Sequence, residues 1–347
     1  MKKALALFFP LCFASLLGGC YLLKQGTYLV SYASRARSIE KVLAGDPIPA
    51  EERRMLHTVQ EIRRYAEERI GLQSNMNYTR YLELERDYVV EVVTACPADS
   101  FSPYQWWFPI FGSFPYKGFY ESEDAEREAG KLRDRGLDVW VHQVDGFSTL
   151  GLLSDPVYSF MTGYSPYALA ELIIHEQTHA TVFFRNETQF NEEMATFVGR
   201  EGALAFLRDR YGADSGAYAE AVARLEDLEA YGEQLIGLYN RLQRLYQGET
   251  DRERIPAEKR RMVEEFNRQL RCRAGELFRT DSFRSFEGIP PNNAFILSFV
   301  RYNRDLDLFY RLFAAKGRDL HATVEALKRL KETGEPPKEQ LRRLVDN

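Results

Sequence analysis

His175-Glu176-Gln177-Thr178-His179, set inside the run from Tyr167 to Phe184, is the stretch on which the reading of this chain turns. The run carries helical patterning, so its two histidines, four residues apart, project from one face toward one point. Two neutral imidazoles placed in this way can share one Zn2+. Glu176, beside the first of them, reaches toward the open coordination position, where a carboxylate can take a proton from water. The reading without chemistry is an amphipathic helix with two half-buried histidines.

Outward from that stretch, nearly everything after Pro166 is patterned as helix. Asn191 to Tyr211 follows as the next helix, and Ser215 to Gln247 with Pro256 to Phe278 predict a long antiparallel hairpin. After Pro290-Pro291 come Asn292 to Ala315 and Asp319 to Thr333. On the N-terminal side, apolar residues at helical spacing between Arg35 and Gly71 predict two helices parted by Asp46-Pro47-Ile48-Pro49. Tyr88 to Thr94 is β-branched and reads as a strand ending before Cys96-Pro97; Asp138 to Val144 alternates and reads as another. Between them, Trp106 to Tyr120 predicts irregular or hairpin structure, and Glu121 to Arg135 a helix closed by Gly136. The expected class is α+β, predominantly helical, with a small β-sheet. One domain over residues 20–347 would carry the helical hairpin as an insertion at about 215–278.

With 347 residues, 45% hydrophobic and 28% charged, the chain can bury a sizeable core and does not have the composition of a disordered one. A net charge of −5 without a dense Lys/Arg patch argues against a nucleic-acid partner. Aromatic residues make up 13%, which suits aromatic-lined grooves as well as ordinary packing. At the start, Lys2 and Lys3 precede an apolar run from Ala4 to Leu17 that is short for a membrane span, and Leu17-Gly18-Gly19-Cys20 follows. That boundary resembles the bacterial lipobox, which implies cleavage of residues 1–19 and acylation of Cys20. The expected place is then the bacterial cell envelope, lipid-anchored to a membrane and facing the periplasm or exterior. A plain secretory signal or an uncleaved anchor is the alternative. Cys96 and Cys272 remain in the folded part, as one disulfide or as two buried thiols.

Zinc needs a third protein ligand. In the gluzincin metallopeptidases, among them thermolysin-like enzymes and the large zinc aminopeptidases, it is the glutamate of an Asn-Glu pair on a helix after the HExxH motif. Asn191-Glu192 is similar to that pair, at a shorter spacing, and implies Glu192 as the ligand. Register agrees, because Glu192 lines up with Thr196 and Gly199, small residues that let one helix approach another, whereas Glu193 lines up with Phe197 and Arg200. A broader resemblance runs through Trp107-Phe108-Pro109, Gly112, Tyr116, Gly118-Phe119, Gly136-Leu137-Asp138-Val139, Phe147-Ser148-Thr149-Leu150-Gly151, Asp155-Pro156, the histidine stretch, Phe190-Asn191-Glu192, Asn292-Asn293-Ala294 and Tyr302. This order is similar to a bacterial family described as predicted aminopeptidases, often with lipoprotein-type N-termini. The resemblance implies a zincin-like metallopeptidase with Zn2+ as cofactor and a peptide or protein as substrate. Two departures stand out: Gln177-Thr178 where the family tends to read HELAH, and Trp106-Trp107 in place of Trp-Cys.

The expected chemistry is peptide-bond hydrolysis by metal-activated water, with His175, His179 and Glu192 as ligands and Glu176 as general base and later acid. Tyr302 offers a hydroxyl for the oxyanion, or simply packs. Ser148, Thr149, Leu150 and Gly151 offer an edge that an extended substrate can join, or are loop packing. His57, His142 and His321 read as solvated or packed, and Glu193 as a solvated carboxylate unless it meets a cation or the substrate amine. Aminopeptidase activity follows from the resemblance alone, because the Gly-x-Met-x-Asn motif of the large aminopeptidases is absent. The rivals are an endopeptidase acting on exported proteins and a non-enzymatic lipoprotein that holds a partner and keeps zinc for structure. Three ligands without a thiol, beside a general base, fit catalysis better than a closed structural site.

Overall fold

Ser165 accepts a hydrogen bond from the Ala168 N–H at 3.2 Å and Pro166 occupies the first helical turn. Both features start a helix firmly, and α5 of the numbering below runs Pro166–Thr181. The structure is a computed structural model and describes residues 21–45, 47–108, 112–145, 154–248, 251–281, 291–330 and 335–346. The expected signal 1–19, Cys20, and Ser148, Thr149, Leu150 and Gly151 lie outside the described residues.

The chain opens with α1 (residues 21–35), β1 (Arg37–Ser38), α2 (Ile39–Gly45) and α3 (Ala50–Tyr65), the last prolonged by a π-helical turn that Gly71 closes at φ 82°. Then come β2 (Arg80–Leu82) and β3 (Val90–Pro97), the ribbon β4 (Trp106–Phe108) and β5 (Gly112–Phe114), β6 (Lys117–Phe119), α4 (Ser122–Arg133), β7 (Leu137–Val144) and β8 (Val157–Tyr158). The rest is helical: α5, α6 (Thr188–Tyr211), α7 (Gly216–Gly248), α8 (Ile255–Leu277), α9 (Asn293–Asn303), α10 (Leu306–Ala315), α11 (Leu320–Arg329) and α12 (Pro337–Asp346). The fold is a predominantly helical α+β one, with three small sheets among the described residues and a long helical hairpin, α7 with α8.

Each part has its own apolar interior. The largest core packs α5 and α6 among α1 to α3 and α10 to α12, where Phe197 meets Phe309 and Phe313 at 5.9 and 5.7 Å between ring centres. A second core lies inside the hairpin and takes in Ile296 and Val300 of α9. A third lies between α4, through Ala125, Ala129 and Leu132, and the antiparallel sheet β6-β3-β7. Asn293, fully buried at the start of α9, ties these parts together. Its N–H donates to Asp138 at 2.7 Å, its amide to the carbonyls of Pro97 and Ser100 at 3.0 and 3.2 Å, and its oxygen accepts from Tyr246 at 2.8 Å. With Lys259 paired to the same Asp138, the hairpin is bound to the sheet, and α9 is set between them.

Several expectations are corrected here. The first strand does not stop before Cys96: Cys96 and Pro97 pair with Asp138 and Leu137, while β6 covers β3 only from Glu91 to Val93, so Pro97 lacks a donor where no strand needs one. The helix expected over 292–315 breaks at Arg304-Asp305, where Asp305 leaves helical geometry and donates its N–H to Glu193 at 3.2 Å. A second sheet, β1-β2-β8, was not foreseen, because strands of two or three residues carry no readable period. Cys96 is buried and Cys272 exposed, and both are free thiols. No described helix is long and apolar enough to cross a membrane.

Candidate metal centre

Six residues separate α5 from α6, and Asn191 closes that turn on itself. Its amide donates to the Phe184 carbonyl at 2.7 Å and its oxygen accepts the Phe184 N–H at 2.9 Å, both bonds buried. The asparagine of the Asn-Glu pair is therefore a clamp that fixes where Glu192, one residue on, enters the site. Further along, Gly199 lets α6 lie against α5: a Cβ there would stand 3.0 Å from the Glu171 carbonyl oxygen and 3.3 Å from His175 Cβ. Arg200, 4% exposed, holds the same level by pairing with Glu171 on α5 at 3.5 Å and donating to Asn303 on α9 at 2.8 Å.

The result is a triangle of donor atoms. His175 Nε2 and His179 Nε2 are 3.1 Å apart, and Glu192 Oε2 stands 3.5 and 3.4 Å from them. Donors bound tetrahedrally at 2.0–2.1 Å lie about 3.3 Å from one another, so the three atoms occupy three corners of a tetrahedron that can hold a metal ion. Burial alone would raise the Glu192 carboxyl, yet the two imidazoles against it hold it well below the usual carboxylate range. Burial likewise works against a proton on His179, and Glu192 overrides it and moves that imidazole up. Glu176 Oε2 and His179 Nδ1 are buried without a hydrogen-bond partner among the described residues. An unpaired buried carboxylate oxygen is costly unless something outside the chain meets it.

Glu193, expected in solvent, is fully buried. It points away from the histidines, takes bonds from Gln189 at 2.8 Å and the Asp305 N–H at 3.2 Å, and faces Lys338 at 4.0 Å. Burial pushes its carboxyl up to about 7. The site thus brings together His175, His179 and Glu192, with Glu176 close enough for its charge to act on His179 and the Tyr302 ring centre 6.4 Å from that of His175. Burial first and the Glu192 charge second push the Tyr302 hydroxyl up. His142 stacks on Trp140 and His321 packs under Gly71, so neither joins the donors.

Three neighbours went unassigned in the sequence. Tyr116 is pushed up to about 12 by burial, then by the charges of Glu192 and Glu176. Asp155 is pushed up to about 8 by burial, then by Glu176. Tyr78, 2% exposed and at φ 57°, feels both Glu176 and Asp155. Tyr116 and Asp155 stood within the string that carries the resemblance; no spacing connects them to the histidines, and only the fold does. The model of a family described as "Putative aminopeptidase" matches residues 20–343. No curated protein and no solved structure matches.

Proposed function

The chain belongs to this aminopeptidase family, and from that premise we propose that it is a zinc-dependent peptidase, acting as an aminopeptidase, anchored to the bacterial envelope through an acylated Cys20. The observation that carries the reading is the donor triangle of 3.1, 3.4 and 3.5 Å, with Glu176 near His179 and its Oε2 buried without a partner among the described residues. Two imidazoles and one carboxylate are a zinc donor set of the catalytic kind, with one of four positions left for a non-protein ligand. When bound, zinc supplies Lewis acidity, polarising a carbonyl and bringing the pKa of water to about 7. His175, His179 and Glu192 would hold the ion. Glu176 Oε2 accepts the proton of the attacking water and passes it to the leaving amine as the C–N bond breaks. Tyr302 donates its hydroxyl to the oxygen on which negative charge develops. The clamp from Asn191 and the close approach at Gly199 keep the ligands in place.

The test is cleavage of a peptide library by zinc-loaded protein, with product ends identified by mass spectrometry; loss of single N-terminal residues is expected, and internal cuts would make it an endopeptidase. Glu176→Gln should keep its zinc and lose about a hundredfold to ten-thousandfold in rate. Full activity in that variant would remove Glu176 from the mechanism. For the anchor, Cys20→Ala should leave the membrane fraction, and equal retention of the variant would refute acylation at Cys20.

A further inference from the structure

One helical turn before His175, the same face of α5 becomes the floor of a cavity of about 530 Å3, within the range of small-ligand sites. Tyr167, Ala168 and Glu171 form that floor; Trp140 and His142 of β7 with Phe295, Phe299 and Tyr302 of α9 form one side, and Leu225, Leu228 and Tyr231 of α7 the other. Tyr302 is thus shared between the cavity and the metal centre. We propose that this cavity receives the large apolar side chain, aromatic above all, of the peptide residue flanking the bond to be cut. The proposal rests on the peptidase reading and names its substrate class.

The walls are suited to a ring. Trp140 and Phe295 meet edge to face at 4.9 Å, and Tyr231 and Phe299 at 5.7 Å, while the rings of Trp140, Phe295, Phe299 and Tyr302 remain only half-buried. Partly buried aromatics converging on one concavity leave some apolar surface that an occupant would cover. The polar members do not compete with that role. Burial, with the charge of Arg301 second, pushes His142 down to about 4, so it presents a neutral ring. Glu171 has its own partner in Arg200, and Arg224 lies at the exposed rim. The place of the cavity points to the occupant: Glu171 stands four residues before His175, about one helical turn or 5.4 Å along α5, and Tyr302 borders both, so a peptide whose carbonyl faces the donor triangle has its neighbouring side chain on the cavity's side of α5.

The experiment uses zinc-loaded protein and alanine peptides that carry one Phe, Tyr, Leu, Asp or Lys at each position in turn. Cuts flanking Phe, Tyr or Leu should exceed those in the all-alanine peptide about tenfold or more. Ser298→Phe, which fills the cavity from α9, should lower the ratio of Phe-peptide to alanine-peptide cleavage about tenfold, and Phe299→Ala, which removes a wall, should lower it as well. A ratio cancels any general loss of activity. Cleavage indifferent to the side chain, or a ratio unchanged in both variants, overturns the pocket and leaves the peptidase reading standing. If nothing is cut, that reading fails, and the pocket is judged by tryptophan emission on titration with N-acetylphenylalaninamide. A saturable change absent with N-acetylalaninamide, and lost in Trp140→Phe and Ser298→Phe, supports the pocket; no change sinks it.

Discussion

Gly199→Ala probes how the metal centre is held together. The added methyl would meet the Glu171 carbonyl oxygen at 3.0 Å and His175 Cβ at 3.3 Å, and neither atom is the free end of a flexible side chain. The two helices must part by a few tenths of an ångström. Overpacking of this kind costs about 1–3 kcal/mol, against which alanine returns roughly 1 kcal/mol of helix propensity, so the net loss of stability is at most about 2 kcal/mol. The effect on the metal is larger in proportion. Glu192 rides on the same helix two turns earlier, and metal sites tolerate displacements of only about 0.2 Å. Zinc affinity should fall about 10-fold to 100-fold, as it does when the supports of other sites are removed. Competition with a chromophoric chelator measures the affinity, and thermal unfolding with and without zinc measures the stability. Gly237→Ala is the control, since a Cβ there meets nothing within 4 Å and should stabilise α7 by about 0.5–1 kcal/mol. If Gly199→Ala behaves like that control and binds zinc as tightly as the parent, the close approach of α5 and α6 is not what positions Glu192.

Two further outcomes follow from the same geometry. Glu192→Gln should lose zinc while Glu193→Gln keeps it, measured as metal stoichiometry after gel filtration; metal lost only from the second variant would reverse the assignment. Gln177→Leu should raise stability by about 1–3 kcal/mol in urea unfolding, because the Gln177 side chain is fully buried with neither amide atom paired among the described residues. A destabilised variant would mean that the amide has a partner after all, such as a buried water.

The parts of the site that lie on one helix were legible in the sequence, because the 3.6-residue period alone brings His175, Glu176 and His179 together. Glu192 was legible through register, since the small residues on its own line mark the face that approaches α5, and Gly199 does make that approach. Glu193 departs from the solvated carboxylate its sequence suggests: its burial depends on Asp305 and Lys338, more than a hundred residues away, and on a helix break that continuous patterning from Asn292 to Ala315 conceals. Tyr116, Asp155 and Tyr78 reach the site from turns and connections between strands, where no periodicity points across the fold. The long helices were read nearly to their ends, whereas β1, β2 and β8 were too short to leave a pattern, and α12 was not foreseen.

The first described helix gives the proposed acylation of Cys20 a mechanical consequence. Tyr21 donates to the Gly118 carbonyl at 2.5 Å, Lys24 pairs with Asp124, Gln25 accepts the Tyr120 N–H at 3.1 Å, and Tyr28 reaches Glu121. Docking therefore begins with the residue that follows Cys20. An acyl group on Cys20 would leave the body no leash: it could neither swing away from the lipid nor turn freely above it. With Cys20 acylated as proposed, the face bearing β6 and the start of α4, on which this helix docks, would lie on the anchored side of the body.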